Sequence, residues 1–143
     1  MNSTDRERKL GEKIAKALWP EITLERPGSF NDQERGIDGW LNKKSVQIKY
    51  DKKILETHNI YDEYWEKTKG CSEQTSWRQC KRYANLYIFT TGGEQKPAYG
   101  IMLTKEALEI AEWGRHMAPI NPTSLGYIIP IHDIEYEAEI RKQ

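Results

Sequence analysis

A β-hairpin is predicted by the stretch Gly36–Tyr50, which reads GIDGWLNKKSVQIKY. Its polar centre, residues 42–44, is typical of a turn between two short strands. After that turn apolar and polar side chains alternate, which is the period of a strand with one buried face. The alternation puts Gln47 and Lys49 together on the polar face. If the two strands pair, Asp38 converges on the same side, and these three groups could hold a divalent cation and a phosphate.

Length and charge limit the classes of protein to which the chain can belong. Its 143 residues are sufficient for a hydrophobic core, and we expect a single domain over residues 1–143. The chain has 22 basic and 22 acidic side chains, so its net charge indicates no partner. Residues 43–82, however, contain ten basic and six acidic side chains. A neutral protein with this distribution can still present a basic surface to a polyanion.

The N-terminal residues and the cysteines indicate the compartment. Met1–Arg6 lacks the apolar stretch of a secretory signal, and no apolar run is long enough to span a bilayer. We therefore expect a cytoplasmic protein without a membrane partner. In a reducing compartment Cys71 and Cys80 are expected to be free thiols. Their spacing to His58 or His116 fits no zinc-binding pattern, so a zinc site is disfavoured.

Periodicity and capping residues predict most of the elements. A helix capped by Thr4 or Asp5 is expected to run to about Leu18, and Thr104 is expected to cap a later helix. Strands are predicted at residues 22–24, 84–91, 98–103 and 126–131, the last at a sheet edge because of Pro130. The remaining expectations are a polar loop at 31–35, a helix or an insertion with a short helix at 51–70, a helix at 72–83, and a strand or helix in the tail after residue 133.

This order of elements predicts an α/β (α+β) fold in which a mixed β-sheet is flanked by helices. Within that context, Gly36-Ile37-Asp38-Gly39 followed by Val46-Gln47-Ile48-Lys49 resembles the PD-(D/E)XK, or restriction-endonuclease-like, nuclease superfamily. The family places an aspartate on one strand and an acid-x-lysine motif on the next. Residues 11–18 resemble its first helix, with Glu12 as the glutamate that this helix often carries. Residues 86–91 resemble the strand after its central helix. The resemblance covers residues 10–92 and implies an αβββαβ core with a possible insertion at 51–70.

Two positions depart from the family pattern. Ile37 stands where the family has proline, and Gln47 stands where it has Asp or Glu. Gln-x-Lys variants occur in this family among methyl-directed restriction enzymes and intron homing endonucleases. A glutamine oxygen can bind a hard cation but brings no charge, so metal affinity should depend on Asp38 and a second acid. Glu12 is the preferred second acid, and Glu34 and Glu7 are the fallbacks.

The resemblance implies metal-assisted phosphodiester hydrolysis of double-stranded DNA. Asp38, Gln47, the backbone carbonyl of Ile48 and Glu12 would bind Mg²⁺, with Mn²⁺ as a possible substitute. Lys49 would orient the attacking water and offset charge on the phosphorane. The alternative for this cluster is an ordinary surface hairpin with one wet and one dry face, and for Glu12 it is a solvated glutamate.

Basic residues near the motif predict the surface that binds DNA. The predicted helix at 72–83 could present its cations to phosphates, or it could be a solvated helix with Trp77 in the core. Cutting two strands implies a homodimer or larger homo-oligomer. We expect a sequence-directed homing or restriction endonuclease. The alternatives are a Holliday-junction resolvase and a catalytically silent nucleic-acid-binding module. The candidate nucleic-acid-binding residues are Lys43, Lys44, Lys52, Lys53, Arg78, Lys81 and Arg82.

Overall fold

Two β-sheets and four α-helices make up the mixed α+β fold of residues 3–69 and 75–143, which are the residues that the computed structural model describes. No helix within these ranges is both long enough and apolar enough to cross a bilayer. The helices and strands are, in chain order, α1 (Ser3–Leu18), β1 (Thr23–Leu24), α2 (Phe30–Arg35), β2 (Gly39–Leu41), β3 (Lys44–Tyr50), α3 (Ile54–Thr57), β4 (Asn59–Lys69), β5 (Thr75–Gln79), β6 (Leu86–Thr91), β7 (Tyr99–Thr104), α4 (Lys105–Glu112), β8 (Ala118–Asn121), β9 (Ser124–Pro130) and β10 (Glu139–Lys142).

The larger sheet has six strands in the order β1-β2-β3-β6-β7-β10. Its β3 and β6 are parallel, with Val46 opposite Leu86 and Tyr50 opposite Thr90, and its other neighbouring strands are antiparallel. A parallel pair needs a long crossover connection. Here the crossover contains α3, β4 and β5, where the αβββαβ pattern has one helix.

The predicted hairpin forms between β2 and β3. Gly39 pairs with Val46 and Leu41 with Lys44, so the turn has two residues and Lys44 belongs to the strand. Asn42 and Lys43 both have positive φ, at 49° and 67°. Positive φ at both central positions is the mark of a type I′ turn, whose twist matches that of antiparallel strands. The polar turn in the sequence was therefore interpreted correctly.

Strand β6 lies at the centre of the protein, with all six of its residues buried. Leu86 and Ile88 face α1, together with Val46 and Ile48 of β3. Alternate β6 side chains face the opposite way, into a second apolar cluster that includes residues of β7, α4 and the smaller sheet. The larger sheet is thus covered on one face by α1 and on the other by α4 and the four-stranded sheet β5-β4-β9-β8.

The predicted helix ending at Leu18, the strands corresponding to β6 and β7, and the helix capped by Thr104 are confirmed. The Thr104 hydroxyl accepts the Ala107 N–H at 3.1 Å, as an N-cap should. Thr4 and Asp5, however, lie inside α1 rather than at its cap. The tail after residue 133 contains a strand, β10, which pairs with β7 at the sheet edge.

Three predictions in the middle of the chain were wrong. The polar segment at 31–35 is helical, because Ser29 accepts the N–H of Asp32 and Gly36 ends α2 with φ 64°. At 51–70 the long helix was wrong, although the short helix of the other alternative is present as α3; residues 59–69 form strand β4, whose bulge between Glu63 and Trp65 interrupts the period of two. In the segment predicted as a helix at 72–83, residues 75–79 form β5, and residues 72–74 lie outside the described ranges.

The strand predicted at 126–131 was placed at a sheet edge, and this was wrong. Observed strand β9 spans Ser124–Pro130 and pairs on both sides, with β4 and with β8. Pro130 is its last residue, so the missing N–H falls at the end of the ladder. Strand β8 was not predicted, since Pro119 and Pro122 in and beside it are typical of a loop.

Candidate active site

Asp38 lies where β2 and β3 separate. Its N–H donates to the carbonyl of Val46 and its carbonyl accepts the N–H of Glu25, both at 2.8 Å. Strand β3 continues beyond this point, and Asp38 Oδ2 accepts a 2.7 Å hydrogen bond from the backbone N–H of Ile48. The backbone therefore fixes the carboxylate against β3, next to the last rungs of the ladder.

The alternation of β3 distributes the predicted site residues over two faces. Ile48 packs into the cluster with α1, whereas Gln47 and Lys49 are half-buried on the opposite face. Within a strand ladder, the N–H and C=O of one residue point to the same neighbour. The carbonyl of Ile48 therefore projects toward the edge that holds the Asp38 carboxylate.

Glu12 approaches this edge from the α1 face. The preceding residue, Gly11, brings α1 close to the sheet, since a Cβ at Gly11 would lie 3.2 Å from both Tyr50 Cβ and Thr90 Oγ1. Glu12 is half-buried, and desolvation raises the pKa of its carboxyl; Arg8 lowers that pKa and Asp32 raises it. The charge of Glu12 also acts on Asp38.

The pKa of Asp38 shows how its surroundings act on the charged form. The pKa is raised to about 6 in all: desolvation raises it most, the hydrogen bond from Ile48 lowers it, and Glu12 raises it. Two smaller effects follow: Lys49 lowers the pKa of Asp38, and Asp32 raises it. A carboxylate buried beside two other acids is destabilised as an anion. A divalent cation at this edge would stabilise the ionised carboxylate against both its desolvation and the repulsion from the other acids.

Asp32 is an acid of this site that the sequence interpretation missed. Its N–H donates to Ser29 Oγ at 3.2 Å, and its Oδ2 accepts the N–H of Gly28 at 2.9 Å. A serine followed three residues later by an acid is an N-cap signal, and this signal could have predicted α2 and placed Asp32. The fallback acids Glu34 and Glu7 are exposed, and neither contributes to the pKa shift of Asp38.

Gln47 lies against Gly36, the residue that ends α2. A Cβ at Gly36 would lie 3.1 Å from Gln47 Nε2 and 3.7 Å from Lys81 Cβ. Neither the amide of Gln47 nor the ammonium of Lys49 has a hydrogen-bond or ion-pair partner among residues 3–69 and 75–143. Both groups can therefore bind an exogenous ligand.

Arg82 was expected to bind nucleic acid, but its side chain is held inside the fold. It donates to Glu112 at 2.6 Å and to Asp62 at 3.2 Å, and only 12% of the side chain is exposed. It also lies over the Tyr64 ring, 5.0 Å from the centroid. We correct this residue to a structural one, since contact with a phosphate would break a buried ion-pair network.

The other cations of that segment are also partly engaged. Lys81 donates to the carbonyl of Gln33, and Arg78 forms an exposed pair with Glu66 at 3.2 Å. Trp77 is 42% exposed and lies under Lys67, 5.2 Å from its ammonium, so it is not a core residue. These residues belong to a strand and its following coil rather than to one face of a helix.

The lysines predicted to flank the motif lie at opposite ends of β3. Lys43 is in the hairpin turn and Lys44 lines a cavity with Trp19, whereas Lys52 follows the far end of the strand. Six residues separate Lys43 from Lys49, which at strand rise is about 20 Å. Lys43 and Lys44 are therefore remote from Lys49, and Lys52 and Lys53 are its neighbours along the chain.

The donor groups expected at the site are oxygen atoms, which suit a hard cation. Within the described ranges no three His, Cys, Asp or Glu side chains cluster as a metal site. The proposed set of ligands differs from such a cluster, because it has two carboxylates, an amide oxygen and a carbonyl oxygen. Burial raises the pKa of the Cys80 thiol to about 11, and Cys71 lies outside the described residues.

No protein family, curated protein or solved structure matches the chain.

Proposed function

We propose that this protein is a magnesium-dependent DNA endonuclease with a restriction-endonuclease-like fold. The observation that carries the proposal is the buried Asp38 carboxylate, held by Ile48 N–H beside the charges of Glu12 and Lys49. A buried acid near other acids and a lysine is suited to binding a cation and a phosphate, because the cation stabilises the acids and the lysine attracts the phosphate. The order α1-β1-α2-β2-β3, followed by β6 parallel to β3, agrees with the αβββαβ core in its strands, whereas α3, β4 and β5 stand where that core has one helix.

The available ligands fit Mg²⁺, which prefers oxygen donors and keeps several waters. Asp38, Gln47, the carbonyl of Ile48 and Glu12 would hold the ion, and Mn²⁺ could replace it. The fit depends on donor chemistry: Asp38 Oδ2 is fixed by Ile48, and the amide of Gln47 is unpaired among the described residues. Asp32 is a further acid within electrostatic range of Glu12 and Asp38.

The bound cation would supply Lewis acidity toward the scissile phosphate and a lowered pKa for the attacking water. The chain's own residues would orient the reactants. Lys49 projects from the face of β3 that carries Gln47, and its ammonium would hold the water and offset charge on the phosphorane. Asp38, fixed by the backbone N–H of Ile48, would keep the cation just beyond the β2–β3 ladder.

The proposed substrate is double-stranded DNA, cut in a sequence-directed manner by a homodimer or larger homo-oligomer. Two active sites are needed to cut both strands, and a two-fold dimer supplies them. Lys52 and Lys53 are the preferred phosphate contacts, because they are exposed and follow the end of β3 that carries Lys49. Holliday-junction resolution by the same site is a second possible activity.

A catalytically silent nucleic-acid-binding module is the alternative from another class. Gln47 favours it, because a neutral amide replaces an acid in the family's motif. A nuclease assay separates the two functions: the purified chain is incubated with plasmid, duplex, single-stranded and four-way-junction DNA in Mg²⁺, Mn²⁺ or EDTA. We expect cutting that requires the metal and is lost in Asp38→Asn. Binding without cutting in either metal would refute the enzyme and support the silent module.

A further inference from the structure

A cleft of about 710 Å³ lies between the coil after β5 and helix α4. Aromatic side chains form much of its wall. Tyr83 and Trp113 are 63% and 75% exposed, and they come from the two opposite sides of the cleft. Tyr64 and Tyr127, also in the lining, meet edge to face with ring centroids 5.9 Å apart. The cleft thus offers several aromatic faces to a ligand.

The polar groups of the cleft are arranged around a nearly neutral site. Arg82 and Glu112 lie in its lining, mostly buried and paired with each other at 2.6 Å, so their charges offset each other. At the rim, Lys105 is 4.0 Å from Glu109, so neither charge acts alone. A phosphate would need an excess of cations. A planar, uncharged ligand fits this aromatic and nearly neutral lining better.

The cleft lies beside the candidate active site. Lys81 lines the cleft, and its Cβ lies 3.7 Å from the Cβ position of Gly36, against which Gln47 packs. Cys80 also lines the cleft, and the charge of Lys49 acts on its thiol. A DNA strand bound at Lys49 could therefore place a nearby nucleotide in the cleft.

We infer that this cleft binds an unpaired nucleobase of the DNA substrate, stacked on Tyr83 or Trp113. The inference rests on the proposed function, because it takes DNA as the ligand of the adjacent site. A base is uncharged and has two flat faces for stacking on an aromatic side chain. Removing a base from a duplex costs free energy, and the cost is least at a bulge or mismatch. The protein should therefore prefer DNA that already contains an unpaired base.

Fluorescence titrations in EDTA test this preference without cleavage. The probes are a duplex with one bulged 2-aminopurine and the same duplex fully paired. We expect tighter binding of the bulged duplex and a fluorescence change of its 2-aminopurine on binding. Trp113→Ala and Tyr83→Ala should each reduce affinity for the bulged duplex about tenfold, because each removes a stacking face. Both side chains are mainly exposed, so the folds of the variants should be preserved.

Two control variants separate stacking from general effects. Trp113→Phe keeps an aromatic face and should retain most of the preference. Tyr136→Ala removes a side chain that is 90% exposed and outside the cleft, and it should change nothing. Equal affinity of the wild-type protein for the two duplexes, or unchanged preference in both cleft variants, would overturn the inference.

Cleavage of plasmid DNA in Mg²⁺ is measured in parallel, so that the two proposals can fail separately. Cleavage without a preference for the bulged duplex overturns the base-binding cleft alone. A preference that depends on Trp113, without cleavage in any metal, overturns the nuclease and supports the cleft in a binding module. Absence of both binding and cleavage overturns both proposals.

Discussion

The carboxylate of Asp38 accepts a 2.7 Å hydrogen bond from the backbone N–H of Ile48. This bond links the two arms of the hairpin just beyond their ladder and holds a buried acid on β3. It also places Asp38 beside the carbonyl of Ile48 and in the field of Lys49. The first three predictions below test the chemistry of that position.

Lys49→Ala should reduce the cleavage rate by about 100-fold or more, since it removes a charge that stabilises the transition state. Binding of uncleaved DNA in EDTA should fall much less. Plasmid nicking and fluorescence anisotropy measure the two quantities. Lys142→Ala, which changes an exposed lysine on β10, is the matched control. Wild-type cleavage by purified Lys49→Ala would refute the catalytic role.

The pKa of Asp38 predicts a pH dependence of folding. Burial raises it from 3.8 to about 6, so the native state retains a proton that the unfolded state has lost in that window. Metal-free protein should therefore lose stability, by roughly 3 kcal/mol, as pH rises from about 4 to 6. Asp38→Asn should flatten this part of the curve in urea unfolding. An unchanged curve in the variant would show that other groups set the slope.

Magnesium should stabilise the fold through the same residue. At ten times its dissociation constant, a ligand that binds only the native state adds about 1.4 kcal/mol, or roughly 3 °C in a thermal scan. We expect the shift for the wild-type protein, a smaller one for Glu12→Gln and none for Asp38→Asn. Glu34→Gln removes an exposed acid and serves as the control. Equal shifts in all four proteins would place the ion elsewhere.

Arg82 should contribute to stability rather than to DNA affinity. Arg82→Met leaves Asp62 and Glu112 as buried acids without their cation, and should cost about 3–5 kcal/mol in urea unfolding at pH 7. Arg78→Met removes an exposed pair with Glu66 and should cost less than about 1 kcal/mol. Similar costs for the two variants would mean that the buried network contributes little.

DNA affinity should depend on lysines at one end of β3. Lys52→Ala and Lys53→Ala should weaken binding and reduce its salt dependence, because each removes a phosphate contact. Lys43→Ala and Lys44→Ala change lysines at the remote end of β3, next to the hairpin turn, and should have little effect. Anisotropy titrations at several salt concentrations measure this. The opposite pattern would place the duplex at the hairpin turn.

The sequence by itself determined the elements whose signals are local. The polar turn fixed the β2–β3 hairpin, the apolar spacing fixed α1 up to Leu18, and Thr104 fixed the start of α4. The alternation in β3 also set the faces of Gln47 and Lys49 correctly relative to Ile48. These signals act within a few residues, through backbone conformation and side-chain period.

Tertiary structure decided what local signals left open or indicated wrongly. Residues 59–69 form a strand because β9 pairs with them, and the bulge at Tyr64 disguised their period in the sequence. Arg82 became structural because Asp62 and Glu112, from two other elements, close around it. Asp32 lies close enough to Asp38 to raise its pKa, because the segment that carries Asp32 folds as helix α2. For β4 and Arg82 the partners are distant in sequence, so only the assembled sheets could specify the contacts.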